Sequence, residues 1–335
     1  MAHMADIAAP NGDPHTMIDT SPLLINGTTI DATFAEAFPM KATRLVITAH
    51  TAAWAMHAAH SLTGFATSVI GCGCEAGVEC TLEREQTPDG RPGVAVLLFA
   101  VSSKELAKQI ERRVGQCVLT CPTTAVYRGI DPQTSRAPLS DLAPLGKNLR
   151  FFGDGWQIAK MLGDTRYWRV PVMDGEFVCE ETAPTVKAVG GGNLILLARD
   201  MDAALAAAEA AVAAMRRLPN VIMPFPGGVV RSGSKVGSKY KGATASTNDA
   251  FCPTLTGLSA RSELSSEVGC VLEIVIDGLT EADVGAAMTA GIVAAAALGR
   301  AGGLLRISAG NYGGKLGPYH FHLRQLAAGL GGSIA

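Results

Sequence analysis

Residues 270–308 read CVLEIVIDGLTEADVGAAMTAGIVAAAALGRAGGLLRIS, and this stretch decides the fold. Cys270–Ile276 is a run of β-branched and apolar residues of strand length. Thr280 stands where a helix N-cap belongs, and Glu281–Leu298 is a long Ala-rich helical run. Leu304–Ser308 is apolar and strand-like again. The same strand–helix–strand grammar recurs at Arg44–Ala49, Ala52–Ser61 and Ala66–Ile70. It recurs at Gly93–Ala100, Lys104–Arg113 and Cys117–Thr120, where Ser102 and Glu105 form a capping-box pattern. It recurs once more at Asn193–Ala198, Met201–Arg217 and Val221–Met223, with Asp200 and Asp202 at the helix start and Arg216 and Arg217 at its end, as the macrodipole favours.

Two such units make one βαββαβ lobe, so the four units predict an α+β protein of two ferredoxin-like lobes in tandem. A doubly wound nucleotide fold is the competing architecture, but no GxGxxG follows a strand. Asp131–Gly163 is rich in Pro, Gly and polar residues, and its FFGDGW segment reads as a rigid aromatic turn. A lobe boundary is placed near Pro171, giving an N-terminal lobe over 18–170 and a C-terminal lobe over 171–335. Residues 1–17 hold few bulky apolar groups and are expected to be a disordered extension.

Composition narrows the function classes. The chain has 335 residues, a formal charge of −2 and 48% hydrophobic residues. No global basic field argues for a nucleic acid partner. The longest apolar run, Val284–Leu298, falls short of the ~20 residues that span a bilayer, so it is expected as a buried helix and no membrane partner is expected. No secretory signal pattern is visible, which suits a cytoplasmic protein. The eight cysteines contain no CxxC pair and read as reduced thiols. Zinc on Cys72, Cys74 and Cys80 with His50 or His57 would need a spacing that matches no usual motif, so no metal is expected.

Two glycine- and lysine-rich loops stand out: Phe225–Lys239 and Ser308–Gly317. The first is not a phosphate-binding Walker loop, because its order is Gly-Ser-Lys twice. Ser232, Ser234, Lys235, Ser238 and Lys239 could still hold a phosphate or carboxylate; a plain flexible loop is the other reading. Asn311 and Lys315 extend that chemistry into the second loop, where the amides of Gly310, Gly313 and Gly314 could face an oxyanion. His320 and His322 share one face of a strand, but no third metal ligand accompanies them.

Glu273 is the most conspicuous ionisable residue. Strand alternation puts Val271, Glu273 and Val275 on one face and Leu272, Ile274 and Ile276 on the other. Burial among valines raises a carboxyl pKa toward the range that acid–base catalysis uses. A solvated edge position is the plain alternative.

Several segments, taken together, resemble the formylmethanofuran:tetrahydromethanopterin formyltransferase family over roughly residues 25–325. They are Thr33–Phe38, TPDGRPG at 87–93, GQCVLT at 115–120, FFGDG at 151–155, GEFV at 175–178 and FPGGVV at 225–230. SGSKVGSK at 232–239, STND at 246–249, EIVIDGL at 273–279 and SAGNYGGKLG at 308–317 complete the set. The resemblance implies two ferredoxin-like lobes, no prosthetic group, and homo-oligomers with clefts near subunit contacts. It implies transfer of a formyl group between N5 of tetrahydromethanopterin and the amine of methanofuran or a bacterial furan analogue. Glu273 falls on the family's proposed acid/base residue. Ser232, Ser234, Lys235, Ser238, Lys239, Asn311 and Lys315 fall where coenzyme contacts are expected.

The chain looks like the bacterial, methylotroph type, which implies a subunit of a complex with a separate formyl hydrolase. With no nucleophile triad in the sequence, the expected mechanism is direct attack within a ternary complex. A non-catalytic scaffold that holds the furan coenzyme for a partner metallohydrolase is the alternative. Formyl transfer by the isolated chain separates the two.

Overall fold

The computed structural model describes residues 22–64, 73–231, 234–243 and 245–328. A small hairpin, β1 (Leu23–Ile25) and β2 (Thr28–Ile30), precedes the first repeat. That repeat runs β3 (Phe34–Thr48), α1 (Ala52–Gly64), β4 (Glu75–Leu82), β5 (Gly93–Ala100), α2 (Ser103–Arg113) and β6 (Ala125–Arg128). Strand β3 pairs with both β5 and β6, and β5 pairs with β4, all antiparallel. The spatial order is therefore β6-β3-β5-β4, the ferredoxin-like order in which the first strand lies between the fourth and the third.

An insertion follows: β7 (Leu139–Pro144), α3 (Gly146–Leu149), β8 (Ile158–Leu162), β9 (Thr165–Val172) and β10 (Gly175–Glu180). It extends the β6 edge through β10, β9 and β8. The FFGDGW segment is a turn with Asp154 and Gly155 at positive φ, and Phe151, Phe152 and Trp156 are exposed. Pro171 lies in β9, paired with Glu176 across the β9–β10 hairpin.

The second repeat runs β11 (Thr182–Ala198), α4 (Met201–Met215), β12 (Val221–Ile222), β13 (Ser234–Val236), β14 (Ala245–Thr247), β15 (Cys270–Gly278), α5 (Glu281–Ala296) and β16 (Leu304–Ser308). Here β11 pairs with β15 and β16, and β15 with β12. The order β16-β11-β15-β12 repeats the plan of the first half, with β13 and β14 as a separate two-stranded excursion. Strand β17 (Tyr319–His322) and α6 (Leu323–Ala328) end the described chain, and β17 returns to pair with the start of β3.

The long strand β11 joins the halves. Val186–Gly190 pairs with Ala42–Phe38 of β3, and Asn193–Ala198 pairs within the second repeat. Between them the register slips at Gly190–Gly192. Gly191 has φ +89, and a Cβ there would stand 2.7 Å from the Phe38 ring, so only glycine makes this bend cheaply. A polar clamp also crosses the seam. Arg44 of β3 holds Glu79 through Nε at 2.5 Å and Nη2 at 2.7 Å, and donates to Asn220 Oδ1 at 2.7 Å.

Helices α4 and α5 pack on one face of the second sheet. Ala204, Ala207, Ala208 and Ala211 of α4 and Ala287, Ala295 and Ala296 of α5 are buried there with Met215 and Met288. Small side chains let the helices approach closely, and the methionines fill the irregular gaps. The caps expected at Asp200 and Thr280 form: their side chains accept from the amides of Ala203 at 2.9 Å and Asp283 at 3.1 Å. Val284, Ala287, Met288, Ile292 and Ala295 are buried, as expected for that apolar run.

Two local expectations change. Cys117–Thr120 is not a strand. Val114–Val118 forms a π-helical turn that continues α2, and the fourth strand of that repeat comes later, at Ala125–Arg128. Thr124 Oγ1 closes this turn onto Val118 O at 2.5 Å and Cys121 O at 3.0 Å, a local side-chain bond that pattern reading misses. The strand expected at Ala66–Ile70 lies outside the described residues, as does the extension over 1–17. The strand in that topological place is β4, whose sequence EAGVECTL mixes small and charged residues and hides its period.

Candidate active site

The face of the second sheet away from α4 and α5 carries the chemistry. Leu272, Ile274 and Ile276 of β15 are buried toward the helices, so alternation turns Val271, Glu273 and Val275 to the other face. The chain between β12 and β15 folds over that face. Val230 pairs with Glu273 through two backbone hydrogen bonds of 2.8 Å, and Leu264 and Val268 pack on Ile195, Leu197 and Leu305. A cavity of about 480 Å³ remains between this cover and the sheet.

Glu273 lines the cavity with Tyr312, Asn193, Arg231 and Lys235. Its side chain is half-buried, and among the described residues its carboxylate has no hydrogen-bond or ion-pair partner. Burial alone pushes its pKa up to about 7. An unpaired carboxyl near neutrality can both accept and deliver a proton.

A second strand carboxylate sits in the opposite condition. Glu36 of β3 is 2% exposed. Its Oε2 accepts from the amides of Tyr312 at 2.7 Å and Gly314 at 3.0 Å. Its Oε1 accepts from Gly317 at 2.8 Å and from the amide of Leu316. Burial acts to raise its pKa, but these four backbone donors win and hold it below the ordinary carboxylate value. Gly317 permits the approach, since a Cβ there would lie 2.1 Å from the Ala37 carbonyl.

This loop therefore differs from its expected role. The amide of Gly314 serves Glu36, that of Gly310 donates to Asn193 Oδ1 at 2.6 Å, and that of Gly313 to Asn311 Oδ1 at 3.1 Å. The three amides considered for an oxyanion are already engaged inside the protein. Asn311 does line the cavity, but its side-chain amide donates to Thr33 Oγ1 at 3.1 Å and Phe34 O at 3.2 Å. Lys315 is exposed and lines no cavity described here.

The first loop is divided. Lys235 reaches the Glu273 cavity, yet its Nζ lies 2.5 Å from Asp249 Oδ1, so it is an ion-pair member rather than a free cation. Asp249 also accepts from Ser259 Oγ at 2.7 Å and Arg261 Nη2 at 2.9 Å. The Lys235 bond, then Ser259, push its pKa well below the ordinary range against some desolvation, and Arg261 adds to this. Ser238 and Lys239 line a separate hollow of about 760 Å³ on the far side of Lys235, with Tyr240 and Arg261. Ser234 opens β13, paired with Thr247. Ser232 lies outside the described residues.

His320 and His322 share one face of β17 as expected. Their rings stand 4.7 and 5.3 Å from the Phe34 ring, an aromatic packing contact. Sequence reading passed over Glu36, Asn193 and Tyr312 as site residues. Glu36 carried the same signal as Glu273, a lone carboxylate in an apolar strand, in the segment Thr33–Phe38.

Comparison with known proteins fixes the family. A model described as formylmethanofuran-tetrahydromethanopterin formyltransferase matches residues 23–172, and one described as the proximal lobe of the same family matches residues 175–326. A formylmethanofuran–tetrahydromethanopterin formyltransferase of Methylococcus capsulatus is 64% identical over 91% of this chain and 100% of its own length. The chain belongs to the formylmethanofuran–tetrahydromethanopterin formyltransferase family. It is a formyltransferase of two ferredoxin-like lobes in tandem. The crystal structure of the Methylorubrum extorquens formyltransferase/hydrolase complex with methylofuran contains a chain 52% identical to this formyltransferase. Its TM-score is 0.86, covering 91% of this chain and 99% of that one. The formyltransferase of Methanosarcina barkeri superimposes with a TM-score of 0.82 at 44% identity, covering 91% of this chain and 100% of that one.

Proposed function

We propose that this formyltransferase moves a formyl group between N5 of a tetrahydromethanopterin-type coenzyme and the primary amine of a methanofuran- or methylofuran-type coenzyme, both bound at once. The supporting observation is Glu273, a carboxyl near pKa 7 in a polar cavity with no partner among the described residues. The incoming nitrogen attacks the formyl carbon, and the carbonyl electron pair moves onto oxygen. The bond to the leaving nitrogen breaks as that pair returns. Glu273 takes the proton from the incoming nitrogen and delivers it to the leaving one.

Direct transfer is favoured over a formyl-enzyme because the hydroxyls and the Cys252 thiol at the cavity have no histidine among the described lining residues to activate them. The N-terminal lobe is assigned to 18–170 and the C-terminal lobe to 171–335. The coenzyme contacts proposed on the first loop are Lys235 at the cavity, Ser238 and Lys239 along its outer extension, and Ser232 and Ser234 on the same loop. Asn311 stands at the cavity wall, and Lys315 would meet a coenzyme tail only outside the cavity.

The protein is proposed to work in the cytoplasm, as a homo-oligomer or with a formyl hydrolase, by analogy with the Methylorubrum complex. No helix among the described residues is long and apolar enough to cross a membrane. The test is Glu273→Gln with both coenzymes saturating. Turnover is expected to fall about 10²–10⁴-fold, the usual worth of general acid–base catalysis. Near wild-type turnover would remove Glu273 from the mechanism.

A further inference from the structure

The tetrahedral stage of formyl transfer places negative charge on the formyl oxygen, and a donor in the cavity must meet it. Six backbone amides of the second loop are already engaged inside the protein. Its amides at Tyr312, Gly314, Leu316 and Gly317 are spent on Glu36, and those at Gly310 and Gly313 on Asn193 and Asn311. The side chains of Asn193 and Asn311 are committed in turn. Asn193 Nδ2 donates to Gly191 O at 3.2 Å and Gly310 O at 3.1 Å. Lys235 is paired with Asp249.

Tyr312 differs from all of these. It lines the same cavity as Glu273, and among the described residues its hydroxyl has no hydrogen-bond partner. Burial first, then the charges of Glu273 and Glu36, raise its pKa, so the phenol keeps its proton and stays a donor. The backbone that carries it is tied at its own amide to the buried Glu36 carboxylate.

We propose that Tyr312 donates a hydrogen bond to the formyl oxygen at the tetrahedral stage, and that Glu36 is the positioning residue that holds Tyr312 there. The assignment rests on the formyl-transfer reading above. No proton leaves Tyr312: the phenol stabilises the alkoxide while Glu273 carries the proton between the two nitrogens. Glu36 acts from the first lobe on a loop of the second, so the cavity wall is built across the lobe seam.

Three variants test it: Tyr312→Phe, Glu36→Gln and the double mutant, assayed for formyl transfer with both coenzymes varied. Tyr312→Phe is expected to lower kcat about 10²–10³-fold, as loss of one oxyanion donor does, with KM for both coenzymes within a few-fold of wild type. Glu36→Gln turns a side-chain NH₂ toward two amide donors, and is expected to lower kcat and to speed hydrogen exchange over 308–317. In the Tyr312→Phe background the same change is expected to cost little more, because Glu36 works through Tyr312. A Tyr312→Phe enzyme with kcat within about 3-fold of wild type overturns the donor role on the scale above. Equal losses from Glu36→Gln in both backgrounds overturn the positioning role. Tyr312→Phe tests the donor role even if Glu36→Gln fails to fold. An inactive wild-type protein would defeat the formyl-transfer reading itself, whereas an active wild type beside a fully active Tyr312→Phe defeats only this assignment.

Discussion

The two glycine-rich walls of the cavity look alike in sequence and are built on different physics. Ser308–Gly317 closes around an anion that belongs to the protein, with four backbone donors converging on the buried Glu36 carboxylate. Among the described residues, the wall over 225–241 carries no such internal ligand. Its β13–β14 hairpin is held by the Lys235–Asp249 ion pair, with Lys235 26% and Asp249 17% exposed. Glycine-rich backbone presents amides, but what those amides bind depends on the nearest acceptor. One wall is satisfied from within and can serve as a rigid support for Tyr312. The other keeps Lys235 and Ser238 partly exposed and Lys239 exposed, where a coenzyme could reach them.

The largest expected break in this contrast comes from removing the internal anion. Glu36→Ala orphans four amide donors beside a buried site and should cost about 3 kcal/mol or more, read by urea unfolding. The sign with pH follows from the lowered pKa. Stability from Glu36 is present above the ordinary carboxylate value of 4.5 and is lost as pH falls through its lower folded value. A loss under about 1 kcal/mol would mean the loop holds itself without Glu36.

Glu273, between the two walls, should show the reverse sign. Its folded pKa of about 7 lies above the ordinary 4.5, so its protonated form is the one that folding favours. The wild-type contribution is complete below pH 4.5 and is lost as pH rises toward and through 7. Glu273→Gln should therefore become more stable relative to wild type across that window, by about 1–3 kcal/mol at pH 8. A difference that stays flat from pH 4.5 to 8 would show that Glu273 is not held protonated by burial.

The smallest effect belongs to the outer wall. Asp249→Asn should lower Tm slightly at low salt, and the difference should shrink in high salt, because a partly exposed ion pair is screened. A Tm loss comparable to that of Glu36→Ala, unchanged by salt, would erase the contrast between the walls.

Much of this was open to reading in the chain itself. The strand–helix–strand periods at Asn193–Met223 and Cys270–Ser308 and the caps at Asp200 and Thr280 are local patterns, and they stand. Glu273 announced itself by interrupting an apolar strand, and it does face the cavity. The failures share a cause. Cys117–Thr120 looked like a strand until Thr124 capped the turn beneath it, and β4 lacked a clean period. Asn311 and Lys315 stay proposed coenzyme contacts, but the sequence held no sign that the Asn311 amide is shared with Thr33 and Phe34 or that Lys315 is exposed.

The sequence by itself determined the two-lobe α+β plan and the carboxylate on β15, because periodicity, capping and strand alternation are properties of near neighbours, and its ordered motif segments carried the resemblance to the family. Only the tertiary structure decided which of two strand carboxylates is a proton carrier and which is a fixed anion. Glu36 and Glu273 present the same local pattern, and their pKa values part because β3 meets the amides of residues 312–317 across the lobe seam while β15 meets a cavity with no partner for its carboxylate among the described residues. Desolvation and hydrogen bonding are set by atoms distant in the chain, and no window along the sequence contains them.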